Sequence, residues 1–167
     1  MSLLVMLGKM IELVEEEVDV FQFVTDEDLR ERGAARGMWA DFYWVSDPEK
    51  KSKILIWCDE NLHAKDKLMT IAHELGHVRN FVKDYKRDIQ LYRKHSEWPG
   101  TSVLLERYAW LYAVDVLKEI GFDDWDYFLE TVRFSLDTYN NNECSVQPKE
   151  KFYNLLEKRI GKVEVKS

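Results

Sequence analysis

The sequence contains little cysteine, proline or glycine, and it has no long apolar run. Among 167 residues there are two Cys, three Pro and seven Gly. So few Pro and Gly exclude collagen-like and linker-dominated chains. Two Cys without a secretory leader favour free thiols over a disulfide framework. The apolar opening at residues 3–7 is far shorter than the roughly 20 residues of a membrane span. We therefore expect a cytoplasmic protein with no membrane segment.

An excess of positive charge is also absent. The chain has 24 Lys and Arg against 31 Asp and Glu, which gives a formal net charge of −7. A protein that binds nucleic acid across its surface normally carries a basic face, so we expect no direct contact with nucleic acid. The chain is not poor in apolar residues, which make up 46% of it, and this content favours a packed core over disorder.

Hydrophobic periodicity predicts an α+β fold, with a small β region followed by a mostly helical remainder. Residues 18–24 alternate like a strand, and residues 38–45 and 53–58 read as a β-hairpin with a polar loop. Thr101 is the expected N-cap of the helix predicted from about residue 102. The predicted helices cover residues 3–17, about 65–83, about 102–120, about 124–139, and a last segment from Pro148 to near Gly161.

The residues that can carry chemistry are concentrated in the segment His73-Glu74-Leu75-Gly76-His77. Residues four apart lie on one face of a helix, about 6 Å apart along its axis. Both imidazoles can therefore bind one metal ion, while Glu74 holds and deprotonates a water molecule, as H-E-x-x-H hydrolases require. The alternative interpretation is that His73 and His77 are hydrogen-bonded polar residues with no metal.

A catalytic zinc site needs a third protein ligand and an open position. Glu106, on the next long predicted helix, is the first candidate because Ala109 and Ala113 give its face a strip of small residues. Such a strip lets another helix approach closely. Spacing alone leaves other acids open as the third ligand, namely Asp84, Asp88 and Asp115.

Residues 70–77, which read T-I-A-H-E-L-G-H, resemble the T-x-A-H-E-x-G-H signature of the ImmA/IrrE-like metallopeptidases. That family places its third ligand in an E-x-E-A-[DN]-x-F-A segment. Residues 106–113 keep the first Glu of this segment, both alanines and an aromatic residue at the Phe position. The resemblance covers about residues 53–120. The chain length suits one domain, and with this resemblance we expect a single zincin-like domain over residues 1–167, with its core at about 38–120 and a C-terminal helical addition at about 121–162.

The resemblance also implies a function. It makes His73, His77 and Glu106 the ligands of one Zn²⁺ per chain and Glu74 the catalytic base of a zinc peptidase. The expected substrate is a specific protein, namely a repressor-type helix-turn-helix regulator of a phage, a mobile element or a stress response. Some members carry such a DNA-binding domain themselves, but only about 35 residues precede the predicted β-hairpin here. We therefore expect a separate partner. The alternative function is non-catalytic, in which a metal-containing protein binds a regulator as an antirepressor or antitoxin does.

Two positions depart from the family pattern. Tyr108 replaces the second Glu of the ligand segment, and Trp110 replaces the Asp or Asn after the first alanine. An acid at that second position commonly orients a metal-bound His. Because indole only donates hydrogen bonds, Trp110 predicts that another acid or a carbonyl takes this role, or that the site is weakened.

Four further residues complete the set of candidates. His95 and Tyr92 can stabilise an oxyanion if they overhang the metal. Because they belong to a polar segment, however, we expect them to be ordinary surface side chains. Cys58 can in principle ligate the metal as an inhibitory thiolate, but we expect it to be buried as a small apolar residue. His63 is expected in a loop. Aromatic residues at 38–44 are expected in the core or along a groove for an extended peptide.

Overall fold

The computed structural model describes residues 1–43, 52–83, 100–137 and 149–161. Within these ranges the fold is α+β, as predicted, with a small sheet and a larger helical part. The elements in chain order are α1 (Leu3–Glu17), β1 (Val20–Val24), α2 (Asp26–Glu31), β2 (Gly37–Tyr43), β3 (Ser52–Asp59), α3 (Ala64–Lys83), α4 (Gly100–Glu119), α5 (Trp125–Asp137) and α6 (Lys149–Ile160).

The sheet has three strands, and β3 lies between the other two. β2 runs antiparallel to β3 with Trp39 opposite Ile56, so the two strands predicted as a hairpin are paired. Their predicted loop lies outside the described residues. β1 runs parallel to β3, with Val20 opposite Leu55. β3 precedes α3 in the chain. The pairing of β2 with β3 places β2 beside that helix.

Local signals explain where several helices begin and end. Thr25 and Asp28 form a reciprocal capping box at the start of α2. At the end of α4, Gly121 has φ +82°, and the amide of Phe122 donates to the carbonyl of Leu117 at 3.0 Å. This is the Schellman pattern. The predicted cap at Thr101 is wrong, because α4 already includes Gly100 and Thr101 therefore lies inside the helix.

The core is one apolar cluster between the sheet and the helices. α1 contributes one stripe at four-residue spacing, Met6, Met10 and Val14, all of them buried. The other elements contribute Ile56 and Cys58 of β3, Leu68, Ile71, Ala72 and Leu75 of α3, Val114 and Leu117 of α4, Phe128 and Val132 of α5, and Leu156 of α6. Burial of one such large side chain is worth about 1.5–3 kcal/mol.

The helix α3 is the most enclosed element of the described chain. It packs against α1, β2, β3 and α4, and 12 of its 20 residues are buried. Polar members of this buried set include Glu74, His77 and Asn80. Burying polar and ionisable groups is costly unless they are paired or bind a metal, so their presence on the central helix marks a site. None of the described helices has the length and hydropathy needed to cross a membrane.

Candidate metal centre

Three side chains from two helices converge at one point. The Nε2 atom of His73 lies 2.8 Å from Oε2 of Glu106, and Nε2 of His77 lies 3.2 Å from Oε1 of the same carboxylate. One nitrogen or oxygen atom from each residue lies within 4.8 Å of the others. The group His73, His77 and Glu106 can therefore hold a metal ion.

Close packing of α3 against α4 creates this convergence. Gly76 lies between the two histidines and contacts the backbone of Ala109, three residues after Glu106. A β-carbon on Gly76 would lie 2.9 Å from the carbonyl carbon of Ala109 and closer still to its oxygen. Real β-carbons do not approach backbone this closely, so only glycine allows the separation seen here. The small residue at position 76 therefore sets the distance between the imidazoles and the carboxylate.

The three donors are of the types that zinc binds in proteins. Zinc binds imidazole nitrogen and carboxylate oxygen at about 2.0–2.2 Å, so its ligand atoms are separated by about 3.3 Å. The imidazole nitrogens lie 2.8 and 3.2 Å from the Glu106 oxygens, and the three donor atoms lie within 4.8 Å of one another. Three protein donors leave a fourth position for water or substrate. This count is typical of catalytic zinc sites, whereas structural sites use four protein ligands.

The charge state of Glu106 also suits a ligand. Burial alone would raise the pKa of its carboxyl group, but the charge and hydrogen bonds of His73 and His77 outweigh burial. Together they hold the pKa of Glu106 well below its ordinary range. The carboxylate is therefore ionised at neutral pH, the form that binds a cation.

Glu74 lies beside the three donors, with 8% of its surface exposed. Burial raises the pKa of its carboxyl group to about 7; the charge of His77 acts against this rise, and that of Glu106 adds to it. A carboxyl group with a pKa near the working pH can both accept and return a proton. Its environment is therefore the one expected of a general base.

Aromatic rings flank the two imidazoles. Trp39 of β2 stacks on His77, with ring centroids 6.1 Å apart and an interplanar angle of 17°. Trp110 of α4 packs on His73 at 4.2 Å and 34°. In the described part of the chain, the Nδ1 atoms of both histidines and Nε1 of Trp110 are buried without a hydrogen-bond partner. The acid or carbonyl that Trp110 led us to expect is therefore not among the described residues, and the imidazoles are held by ring packing and by their contacts with Glu106.

Three of the other candidates from the sequence lie in the described residues, and none of them belongs to the metal group. Asp115 forms an ion pair with Arg159 at 2.5 Å and is not part of the metal group. His63 is exposed in the loop before α3. Cys58 is a fully buried free thiol, as expected. Burial raises its pKa to about 12, so at neutral pH it is a thiol and not a thiolate ligand. The remaining candidates, Asp84, Asp88, Tyr92 and His95, lie outside the described residues.

A cleft of about 390 Å³ opens beside the metal group. It contacts His73, Glu74 and Glu106 on one side and reaches residues that sequence analysis did not single out. These are Ala35, Arg36 and Gly37 before and at the start of β2, Met69 and Thr70 of α3, and Thr131, Phe134 and Ser135 of α5. No sequence motif identifies them, because they meet only when β2 packs on α3 and α5 packs on α4.

Comparison of the chain with protein-family models, with curated proteins and with solved structures gives no match. The family resemblance therefore rests on the residues of segments 70–77 and 106–113 alone. The geometry of the metal group is an independent observation, since it follows from the packing of α3 on α4.

Proposed function

We propose that this protein is a zinc-dependent peptidase of the zincin type. One observation carries the proposal: His73, His77 and Glu106 converge on a single point, with the buried carboxyl group of Glu74 beside it in the same cleft. Two imidazoles and one carboxylate, with an open fourth position, form the donor set of catalytic zinc. A purely structural role for these residues does not account for a second buried acid next to the metal group.

The chain's residues divide the proposed work between them. A bound zinc ion would supply a Lewis acid that polarises a carbonyl group and makes water more acidic. His73 and His77 come from one rigid helix, which fixes their positions relative to Glu106. Glu74 accepts the proton of the attacking water and then delivers it to the amine nitrogen of the leaving peptide.

The proposed substrate is a specific protein. The resemblance of residues 70–77 and 106–113 to ImmA/IrrE-like peptidases suggests a repressor-type helix-turn-helix regulator. The net charge of −7 disfavours direct binding to DNA, so any effect on transcription would act through such a protein partner.

A second function is favoured by one specific observation. Neither Nδ1 atom of the two histidines has a hydrogen-bond partner within the described residues. Partners of this kind typically contribute 10–100-fold to metal affinity or activity. A site that lacks them suits a protein in which the metal group organises a surface for binding a regulator, without catalysis.

Metal analysis and one substitution test both functions. Purified under zinc-replete conditions, the protein should contain about one zinc per chain, measured by mass spectrometry of the metal. Glu74→Gln should keep the zinc and the fold and lower cleavage at least about 100-fold. Cleavage is assayed on purified helix-turn-helix repressors and on a library of random octapeptides. Glu130→Gln, at an exposed position of α5, is the matched control and should cleave normally.

The outcomes separate the two functions. A protein without zinc contradicts both of them. A zinc-containing protein whose biological effect survives Glu74→Gln contradicts the peptidase and supports the binding function. Cleavage that is lost in Glu74→Gln and kept in Glu130→Gln supports the peptidase.

A further inference from the structure

Arg36 occupies a strained position at the edge of the cleft. Its φ of +65° is the one positive value found at a non-glycine residue in the described chain. The amide of Gly37 donates to the carbonyl of Ala35 at 2.8 Å across it, which is the bond that closes a three-residue γ-turn. Non-glycine residues at positive φ cost about 1–3 kcal/mol, and they concentrate where function requires them.

The strained turn is held from both sides. The carbonyl of Arg36 accepts a 2.7 Å hydrogen bond from the amide of Asp59 at the end of β3. Next to it, Gly37 is pressed against α3: a β-carbon there would lie 2.5 Å from Cγ2 of Thr70 and 3.4 Å from Cγ of Glu74. The backbone of Arg36 is therefore fixed, and its neighbour in the chain, Gly37, lies against the helix that carries the proposed catalytic base.

The side chain of Arg36 is directed towards the cleft, which it lines together with Phe134. Its guanidinium carbon lies over the Phe134 ring, 5.8 Å from the centroid, and 68% of Phe134 is exposed. Contact with a ring face uses none of the five guanidinium N–H donors. Within the described ranges, no carboxylate pairs with Arg36. Its donors are thus available to a ligand in the cleft.

The charges in the cleft favour an anionic ligand at this point. The ionisable residues among the described lining are Arg36, His73, Glu74 and Glu106. The two positive charges of a zinc ion would balance the two carboxylates, which leaves the guanidinium as the excess charge. Arginine binds carboxylates and phosphates through two parallel hydrogen bonds, and of these two groups an unmodified peptide substrate offers the carboxylate.

We propose that Arg36 is a specificity-determining residue that binds a carboxylate of the substrate close to the bond being cleaved. The proposal rests on the peptidase function proposed above and names the class of substrate, a peptide with an acidic group at a defined position. An extended substrate advances about 3.3 Å per residue, and adjacent Cα atoms lie about 3.8 Å apart. Arg36 and Glu74 line the same cleft, and a β-carbon on Gly37, next to Arg36, would lie 3.4 Å from Cγ of Glu74, so we expect the acidic group within about three residues of the scissile bond.

A charge-reversal experiment tests this assignment. Zinc-loaded protein is incubated with a library of random octapeptides, and the cleaved products are sequenced by mass spectrometry. In parallel, the library is passed over immobilised, zinc-loaded Glu74→Gln protein and the retained peptides are sequenced, a readout that requires no turnover. Libraries with free and with amidated C-termini distinguish a terminal carboxylate from an acidic side chain.

We expect Asp and Glu, or the free C-terminus, to be enriched about threefold to tenfold at one position. Arg36→Glu should abolish this enrichment and select Lys and Arg instead. Arg32→Glu is the matched control, since Arg32 is a nearby exposed residue that lies over Trp57 and does not line the cleft. It changes the net charge equally and should keep the acidic preference.

Several results would overturn the assignment. They are equal selection of acidic and neutral peptides, failure of the Glu74→Gln protein to retain any peptide, and an acidic preference that survives Arg36→Glu. Cleavage without acidic preference removes the role of Arg36 and leaves the peptidase intact. Loss of zinc, or absence of cleavage of both the octapeptides and the helix-turn-helix repressors, refutes the peptidase itself, so the two failures are distinguishable.

Discussion

At the scale of single residues, the imidazoles of the candidate metal centre are held by ring packing and by their contacts with Glu106. His77 is stacked on Trp39 and His73 on Trp110. Within the described chain their Nδ1 atoms lack partners. Ring packing restricts rotation of the imidazoles but does not make them stronger bases, as a hydrogen-bonded carboxylate would. The site should therefore be well ordered and bind zinc less tightly than a site with such partners.

The strain at Arg36 can be measured at the same scale. Arg36→Gly and Arg36→Ala both remove the side chain, but only glycine adopts a φ of +65° without strain. Relief of about 1–2 kcal/mol exceeds the 0.4–1 kcal/mol that the greater flexibility of unfolded glycine costs. We expect Arg36→Gly to be more stable than Arg36→Ala by about 0.5–1 kcal/mol in urea unfolding. A glycine variant that is less stable than the alanine variant would show that the turn is unstrained.

At the scale of the elements, the contact between α3 and α4 forms the site. His73 and His77 are positioned by one helix, Glu106 by the other, and Gly76 allows the two backbones to touch at Ala109. Because the interface is backbone against glycine, no side chain can move aside to accommodate a larger residue. The metal group is therefore sensitive to a substitution that does not alter any ligand.

A pair of glycine substitutions tests the contact. Gly76→Ala gains about 1 kcal/mol of helix propensity, but the clash with the Ala109 backbone should lower the free energy of unfolding by about 1–3 kcal/mol net. It should also weaken zinc binding, because it moves α3 away from Glu106. Gly8→Ala in α1, where the new β-carbon meets nothing within 4 Å, should instead stabilise by up to about 1 kcal/mol.

Urea unfolding and zinc titration provide the measurements for this pair. If Gly76→Ala matches Gly8→Ala in stability and keeps the zinc affinity of the wild type, the close approach does not control the site.

At the scale of the whole molecule, α3 is tied to the rest of the protein along its length. Arg79 forms two hydrogen bonds with Glu17 of α1, at 2.9 and 2.7 Å, and one with Glu119 of α4, at 2.7 Å. Near the start of α3, Lys65 pairs with Asp124 at 2.7 Å, just before α5. The helix that carries the candidate ligands is thus coupled to most of the fold, so zinc bound there should stabilise the whole protein.

This coupling predicts a zinc-dependent free energy of unfolding. At free zinc 100 times the dissociation constant, a ligand that binds only the folded state adds about 2.7 kcal/mol. We expect urea unfolding with zinc and with a chelator to differ by this amount in the wild type. The difference should vanish in His77→Ala and persist in His63→Ala, whose exposed imidazole lies outside the metal group. An increment that survives His77→Ala would place the stabilising zinc elsewhere.

The sequence by itself predicted the α+β class, the paired strands and the helices that carry the candidate ligands. Local patterns contain this information: apolar residues at helical spacing define α3, and the four-residue interval places His73 and His77 on one face of it. It also made Glu106 a candidate, with Asp115 among the alternatives. Only the packing of α4 on α3 separates these two, because Asp115 is drawn to Arg159 while Glu106 faces both imidazoles.

The tertiary structure alone decided what surrounds the metal group. Trp39 and Arg36 precede His77 and Glu74 by 38 residues each, and nothing in their local sequence relates them to a metal. They reach the site because β2 pairs with β3 and places Gly37 against Thr70 and Glu74. Spacing along a helix is a local property that the sequence displays, whereas contacts between a strand and a helix arise only when the core closes.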